Sequence, residues 1–267
     1  MKVYYRVKNI PGTTNTIPYN YNISTAVEGA LQLGLECISY FNVKDIYDDY
    51  EKGDIVLDGI DQVNYCLSKF NIEPTEFNYP DILHKYLGRK IWKDTINHIA
   101  SNEELWSKGY FVKPRKEKVF TGKIISSIKD LIGCGSCYEN YEVLVSEPLD
   151  IVYECRGFIY YDELKDLRPY KGNYKYMKYM DTNLIQSAME DWKNWENRPN
   201  SCSLDFGVVR KIVDNKEIFE TILVEGNLPY SLGTYGFFGV AYIRLISAYI
   251  SQVCGIDDEL NFGDFNV

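Results

Sequence analysis

Two strand-forming runs, Cys202 to Val209 and Ile218 to Gly226, are joined through the turn Val213-Asp-Asn-Lys216. A link that short has no room for a crossover helix, so the two strands must pair antiparallel. Tyr141 to Ser146 and Ile151 to Tyr161 are further strands, followed by what reads as a polar turn from Asp162 to Gly172. This part of the chain is therefore an antiparallel α+β arrangement rather than a βαβ repeat.

The first 75 residues obey a different rule. A β-rich run at 2–7 precedes a helix from Ser24 through Leu35, with Ala26, Ala30, Leu31 and Leu35 at helical spacing behind a Ser cap. Cys37 to Val43 and Asp54 to Asp58 read as strands, and Ile60 to Phe70 as a helix, which makes a small α/β unit. Residues 71–110 form a connector with helical stretches at Ile82 to Tyr86 and Trp92 to Trp106. Then follow a strand ending at Pro114, a charged turn Arg115 to Lys118, a strand Val119 to Lys123, and a helix over Ile124 to Ile132 closed by Gly133. Asp181 to Trp195 and Gly239 to Cys254 are amphipathic helices.

Composition removes several functions. With 29 Lys and Arg against 38 Asp and Glu, the net charge of −9 has the wrong sign for a protein that holds duplex DNA over its whole surface. The best apolar run, Phe237 to Ile250, is interrupted by Arg244, and the N-terminus lacks the apolar core of a secretory signal. A cytoplasmic protein without membrane association is expected. Seven scattered cysteines are expected to be reduced thiols. The pair Cys134 and Cys137 has redox or half-zinc spacing but lacks a second pair. Two histidines, neither in a triad or metal motif, give histidine catalysis little support, so chemistry falls to carboxylates, lysines, arginines and a bound metal.

Glu225 and Asn227 stand two apart at a strand end and so project from one face, and Asp205 on the adjoining strand joins them. Oxygen donors of this kind suit Mg²⁺. Taken alone, such a set is more often solvated polar residues. Lys113, Lys118 and Arg156 each sit where a strand meets a turn, a lysine offering phosphate a point charge and the arginine a planar fork. Thr121 and Gly122 make a turn whose backbone N–H groups can approach phosphate. With Arg115, Lys116 and Lys123, five cations fall between positions 113 and 123.

Read in order, Lys113, the Lys118-to-Gly122 loop, Ser146-Glu147-Pro148, Glu154-x-Arg156, Asp205 and Glu225-x-Asn227 resemble the ATP-grasp superfamily, in particular the clade named for one arginine and two lysines, which has phage and bacterial members. The resemblance implies an ATP-grasp fold: an N-terminal α/β domain with its connector (1–108), then an ATP-grasp domain (109–267). The latter would comprise a first ATP-binding subdomain, 109–148, and a second with the metal site, 149–267, the two clamping ATP between antiparallel sheets. By the same resemblance Lys113 contacts nucleotide phosphates, and Lys118 with Thr121 and Gly122 forms the loop that closes over them. Val143 to Glu147, Val145 included, is the adenine-recognising hinge, and Glu147 contacts ribose or adenine. Arg156 neutralises the transferred phosphoryl group, Arg168 and Lys171 hold phosphate or a substrate carboxylate, and Asp205, Glu225 and Asn227 bind Mg²⁺. A glycine-rich phosphate loop is missing, since 115–122 holds only Gly122.

The implied cofactors are ATP and Mg²⁺, and the implied activity is a ligase that joins a small-molecule or peptide carboxylate to an amine through an acyl phosphate. Two alternatives stand beside it: a kinase on the same scaffold, and an interaction protein that retains the fold without turnover. The interleaved Tyr and Lys of Tyr170 to Tyr179 suit a substrate-covering loop, plain β-propensity or, less readily, single-stranded nucleic acid. Ser231 to Gly236, after the last metal candidate, either shapes an acceptor pocket or is only the turn into the closing helix.

Overall fold

The protein is described by a computed structural model covering residues 1–74, 77–115, 119–135, 139–230 and 232–263. It opens with β1 (Lys2–Asn9), β2 (Thr16–Pro18), α1 (Tyr21–Gln32), β3 (Glu36–Tyr40), β4 (Ile55–Leu57) and α2 (Ile60–Ser68). Next come β5 (Ile91–Thr95), α3 (Ile96–Ser101), α4 (Glu103–Ser107), β6 (Tyr110–Pro114), β7 (Lys123–Ile125) and β8 (Glu142–Ser146). The remainder holds β9 (Ile151–Tyr160), β10 (Glu163–Gly172), α5 (Thr182–Lys193), β11 (Ser201–Val213), β12 (Lys216–Asn227) and α6 (Gly239–Cys254).

Compactness divides the chain into two units, each assembled from separated stretches. The first comprises 1–86, 152–208 and 221–267, the second 87–151 and 209–220. Neither coincides with a division at residue 108 or 148.

In the first unit, β1 lies between β3 and β4 and parallel to both, while β2 pairs antiparallel with the end of β1, Val7 to Asn9. Parallel strands need covered faces, and one apolar core accordingly gathers Val3, Ala26, Ala30, Ile55 and Leu67 with Phe158, Tyr242, Ile246 and Ile250. The helices α1 and α6 cross at two glycines, where a Cβ on Gly29 would lie 2.1 Å from the Gly239 carbonyl oxygen. The cap of α1 is Asn20, whose Oδ1 accepts from the Ile23 N–H at 3.0 Å, so the helix begins earlier than a Ser24 cap would place it. A second sheet runs in the order β10-β9-β11-β12, and the far end of the β11–β12 hairpin counts with the second unit.

The second unit carries the antiparallel sheet β5-β8-β6-β7 over a core of Ile96, Ile99, Val112, Ile125, Val143 and Val145. Further expectations change, among them the strand expected over 119–123, which begins only at Lys123 as β7. Ile91 to Thr95 pairs with β8 as a strand, so the helix expected over 92–106 shrinks to α3 and α4. The helix expected over 124–132 is β7 followed by one 3-10 turn, Ile128–Leu131, capped by Ser127 and Asp130. In the first unit, the turn expected over 162–172 is the ten-residue strand β10. The fold class, α+β with antiparallel sheets, stands.

Candidate functional site

The first unit holds Arg156, Arg168, Lys171, Asp205, Glu225 and Asn227 among the site candidates. Residues 154, 156, 158 and 160 of β9 share a face by strand alternation, with Arg168 of β10 directly across from Arg156 and Lys171 across from Glu154. Asp205 of β11 meets Arg156 fork to fork: Nε donates to Oδ1 at 2.9 Å and Nη2 to Oδ2 at 2.8 Å. Both residues are buried, Asp205 completely. Burial pushes the Asp205 carboxyl above the ordinary carboxylate range; the Arg156 fork and charge pull the other way, and the Glu225 charge adds to the rise. Burial acts to lower the Arg156 pKa, but its Asp205 partner outweighs that, and the guanidinium stays charged.

Glu154, two residues before Arg156, accepts from the Tyr170 hydroxyl at 2.6 Å and from Lys171 Nζ at 2.5 Å. Tyr170 sits at a register shift between Pro169 and Lys171, where the extra residue re-aims its ring. That ring stacks on Tyr235 with centroids 5.0 Å apart, and the Arg156 guanidinium lies 5.6 Å from one centroid and 5.3 Å from the other. Tyr235 adopts φ +49, a left-handed conformation that a bulky side chain takes only when its surroundings enforce it. Arg168 pairs with Asp166.

Glu225 and Asn227 flank Gly226, whose N–H donates to the Asn78 carbonyl at 2.7 Å. A Cβ there would lie 2.7 Å from the Phe77 ring, so this ring backs the Glu-Gly-Asn segment. Glu225 is half-buried and close enough to load its charge on both Asp205 and Tyr170.

The second unit holds the other candidates. Lys113 is half-buried in β6 opposite Leu144 of β8. Gly122 folds back against it, its added Cβ falling 2.9 Å from Lys113 Cβ. Thr121 is exposed beside it. Val145 is fully buried, and its strand is paired on both sides with Trp92 and Val112, so its side chain serves the core. Glu147, just past the strand end, is exposed, and its Oε2 accepts from the Lys90 N–H at 3.2 Å. Lys116, Lys118, Cys137 and Ser231 lie outside the described residues. Cys134 is a buried free thiol.

With the geometry in place, the comparisons with known proteins decide the family. The model of the ATP-grasp domain, R2K clade family 2, matches residues 86–245, more than half of the chain. The chain belongs to that ATP-grasp family. No curated protein matches it. Among solved structures it is similar to D-alanine–D-alanine ligase from Bacillus anthracis complexed with ATP, at 11% identity, 96% of this chain, 98% of that one and a TM-score of 0.44. It is also similar to N5-carboxyaminoimidazole synthetase from Staphylococcus aureus, at 12% identity, 88% and 75% coverage and a TM-score of 0.46. A macrocyclase from Microcystis aeruginosa MRC bound with its precursor peptide gives 12% identity, 96% and 100% coverage and a TM-score of 0.40.

The donor set of this ATP-grasp domain suits the Mg²⁺ that the family implies. Among the described residues no three His, Cys, Asp or Glu side chains are placed as a metal cluster, so a cation at Asp205 and Glu225 would take its remaining oxygens from the Asn227 amide, water or substrate. The Asn227 side-chain nitrogen is buried without a partner; turned over, the amide would present its oxygen to a cation instead. Asp205 receives the Arg156 fork on two oxygens, and a carboxylate of about four lone-pair sites still has acceptor capacity for a cation. Glu154 was marked in the sequence only by its two-residue spacing from Arg156, and Tyr170 and Tyr235 only as members of the Tyr170 to Tyr179 and Ser231 to Gly236 segments. Among the described residues no helix is long and apolar enough to cross a membrane.

Proposed function

We propose that the protein is an ATP- and Mg²⁺-dependent ligase that joins a carboxylate to an amine. The supporting observation is the Arg156 guanidinium, buried, held in plane by Asp205 and adjoined by a second carboxylate at Glu225. A fixed fork of this kind stabilises charge that develops on a transferred phosphoryl group without reorganising when the charge appears. In the proposed reaction a substrate carboxylate oxygen bonds to the γ-phosphorus as the bond to ADP breaks, giving an acyl phosphate. The amine nitrogen then bonds to the acyl carbon, phosphate leaves with the electron pair of the broken C–O bond, and the nitrogen loses a proton to solvent.

Arg156 faces the phosphoryl oxygens in both steps, with Arg168 and Lys171 on the neighbouring strand as further anion-binding groups. Lys113, Lys118, Thr121 and Gly122 hold the nucleotide phosphates, and Glu147 with the backbone of Val145 serves the nucleoside. Asp205, Glu225 and Asn227 would hold Mg²⁺, which when bound neutralises phosphate charge. Little general-base power is needed, since positioning and charge stabilisation dominate phosphoryl transfer.

Thermal unfolding with and without saturating ATP and Mg²⁺ tests the reading. At a hundredfold over the dissociation constant the ligand stabilises by about 2.7 kcal/mol, which raises the midpoint by roughly 5–10 °C for a chain of this size. Lys113→Ala and Glu225→Ala should lose most of that rise. ADP release that requires both carboxylate and amine marks the ligase, and phosphate left on an acceptor marks a kinase. A wild-type midpoint that ATP and Mg²⁺ leave unmoved rejects the nucleotide site.

A further inference from the structure

Beyond Arg156 the same face of β9 continues through Phe158 to Tyr160, and there it borders a cavity of about 270 Å³ lined by Tyr160, Lys165, Phe237, Phe238, Ala241 and Arg244. We infer that this cavity binds the carboxylate of an amino acid or peptide C-terminus bearing an aromatic or large aliphatic side chain. The binding site does not depend on the ligase reading above.

The walls are aromatic. Phe237 stacks flat on Phe158 with centroids 4.1 Å apart, and Phe238 is 44% exposed despite its size. An apolar pocket with a few convergent polar groups is the usual form of a small-molecule site. Those polar groups select an anion. Arg244 donates to the carbonyls of Leu260 and Phe262, which fix its position, and among the described residues no carboxylate neutralises it. Asp166, the one carboxylate among the lining residues, is engaged by Arg168. The Arg244 guanidinium lies 5.2 Å from the centroid of the Tyr160 ring and acts on its buried hydroxyl oxygen, while the hydroxyl proton has no acceptor. A buried donor left unpaired is costly, and a ligand carboxylate beside Arg244 would satisfy it. The helix α6 also opens at this cavity with no side-chain cap. Four residues along a strand is about 13 Å, so a carboxylate held at Tyr160 and Arg244 is not the one activated at Arg156. The amine of an amino acid or dipeptide lies too near its own carboxylate to bridge that span, and buried Phe158 stands between the two points, so the cavity is a ligand site apart from the reacting centre.

Calorimetric titration of the full chain with L-phenylalanine, alanyl-phenylalanine, L-alanine and phenethylamine tests the inference, with the ATP and Mg²⁺ thermal shift recorded on the same samples. Saturable binding of phenylalanine or the dipeptide is expected, the tighter of the two separating free amino acid from peptide C-terminus. L-Alanine, lacking the apolar body, and phenethylamine, lacking the carboxylate, should bind at least about tenfold more weakly. Tyr160→Phe, which removes only the orphan hydroxyl, should weaken binding about tenfold. Ala241→Leu should block the cavity, and the ATP shift should survive in both variants. Absence of phenylalanine and dipeptide binding in a protein that still responds to ATP overturns the inference, as does binding indifferent to both substitutions. Binding with the expected pattern in a protein that ignores ATP supports the pocket and rejects the ligase reading instead.

Discussion

Asp205 and Arg156 are removed from water together, and such a pair is far costlier to break than to replace. Asp205→Ala would leave a buried guanidinium without its counter-charge and should cost about 3–5 kcal/mol in urea unfolding. Combining Asp205→Leu with Arg156→Met should recover most of that loss. A single variant as stable as wild type would contradict the buried fork. One consequence concerns function: loss of the ATP response in Asp205→Ala would not identify a metal ligand, because stability falls too. Glu225, half-buried, is the cleaner probe. The pairing of Glu225 with Asn227 was legible in the sequence, since the strand period is two and needs no tertiary information. Asp205 was legible in kind but not in depth. Near a strand start it reads as solvated, yet all of residues 201–209 are buried. The roles of Tyr170 and Tyr235 were illegible, because one depends on a register shift in β10 and the other on a positive φ in a loop.

At the scale of elements, caps and turns decide where the segments begin and how they are tied. Asn20 caps α1 by its own side chain, so Asn20→Ala should lower stability by about 1 kcal/mol. Ser24→Ala, one turn inside the helix, should change it by no more than about 0.5 kcal/mol. A larger effect at Ser24 than at Asn20 in thermal or urea unfolding would place the helix start where the apolar spacing alone puts it. The β9–β10 turn is tied to the segment after α5 by Asp162, whose two oxygens accept from Arg198. The Arg198 hydrogen bonds hold the Asp162 carboxyl below its ordinary range. A depressed carboxylate contributes stability above its unfolded pKa, near 3.9, and loses that contribution as pH falls through the lower folded value. Wild type and Asp162→Asn should therefore differ most at neutral pH and converge in strong acid; a gap independent of pH would reject the ion pair. Two of the elements misjudged from sequence share one cause. Ile91 to Thr95 and Glu163 to Gly172 are edge strands, rich in charge and, in β10, interrupted by two register shifts and carrying Pro169. Edge strands carry charge and proline because one side of their ladder is open, and this erases the alternation by which a strand is recognised.

At the scale of the molecule, the family match begins at residue 86, yet the first unit cannot be cut there. Its apolar core is shared by residues distant in sequence: Val3, Ala26, Ile55 and Leu67 from the N-terminal stretch, with Tyr242, Ile246 and Ile250 from α6 and Phe158 from β9. The two-glycine crossing of α1 and α6 brings their backbones too close for any side chain between them, so α6 has no substitute surface on which to rest. A division of the chain in sequence order, with an N-terminal domain ending near 108, hides this dependence, because periodicity reports which face of an element is buried but not against which partner. A fragment of residues 86–267 would expose the apolar face of α6 along with Phe158, and a chain with so much unburied core does not offset its conformational entropy. Such a fragment should show no cooperative thermal transition and poor dispersion of amide proton resonances. Co-expression with residues 1–85 as a separate chain should restore both, since the packing that joins the two stretches is non-covalent. A fragment that unfolds cooperatively alone would mean that the ATP-grasp region is an autonomous domain and that the N-terminal α/β stretch is an addition to it rather than part of its core.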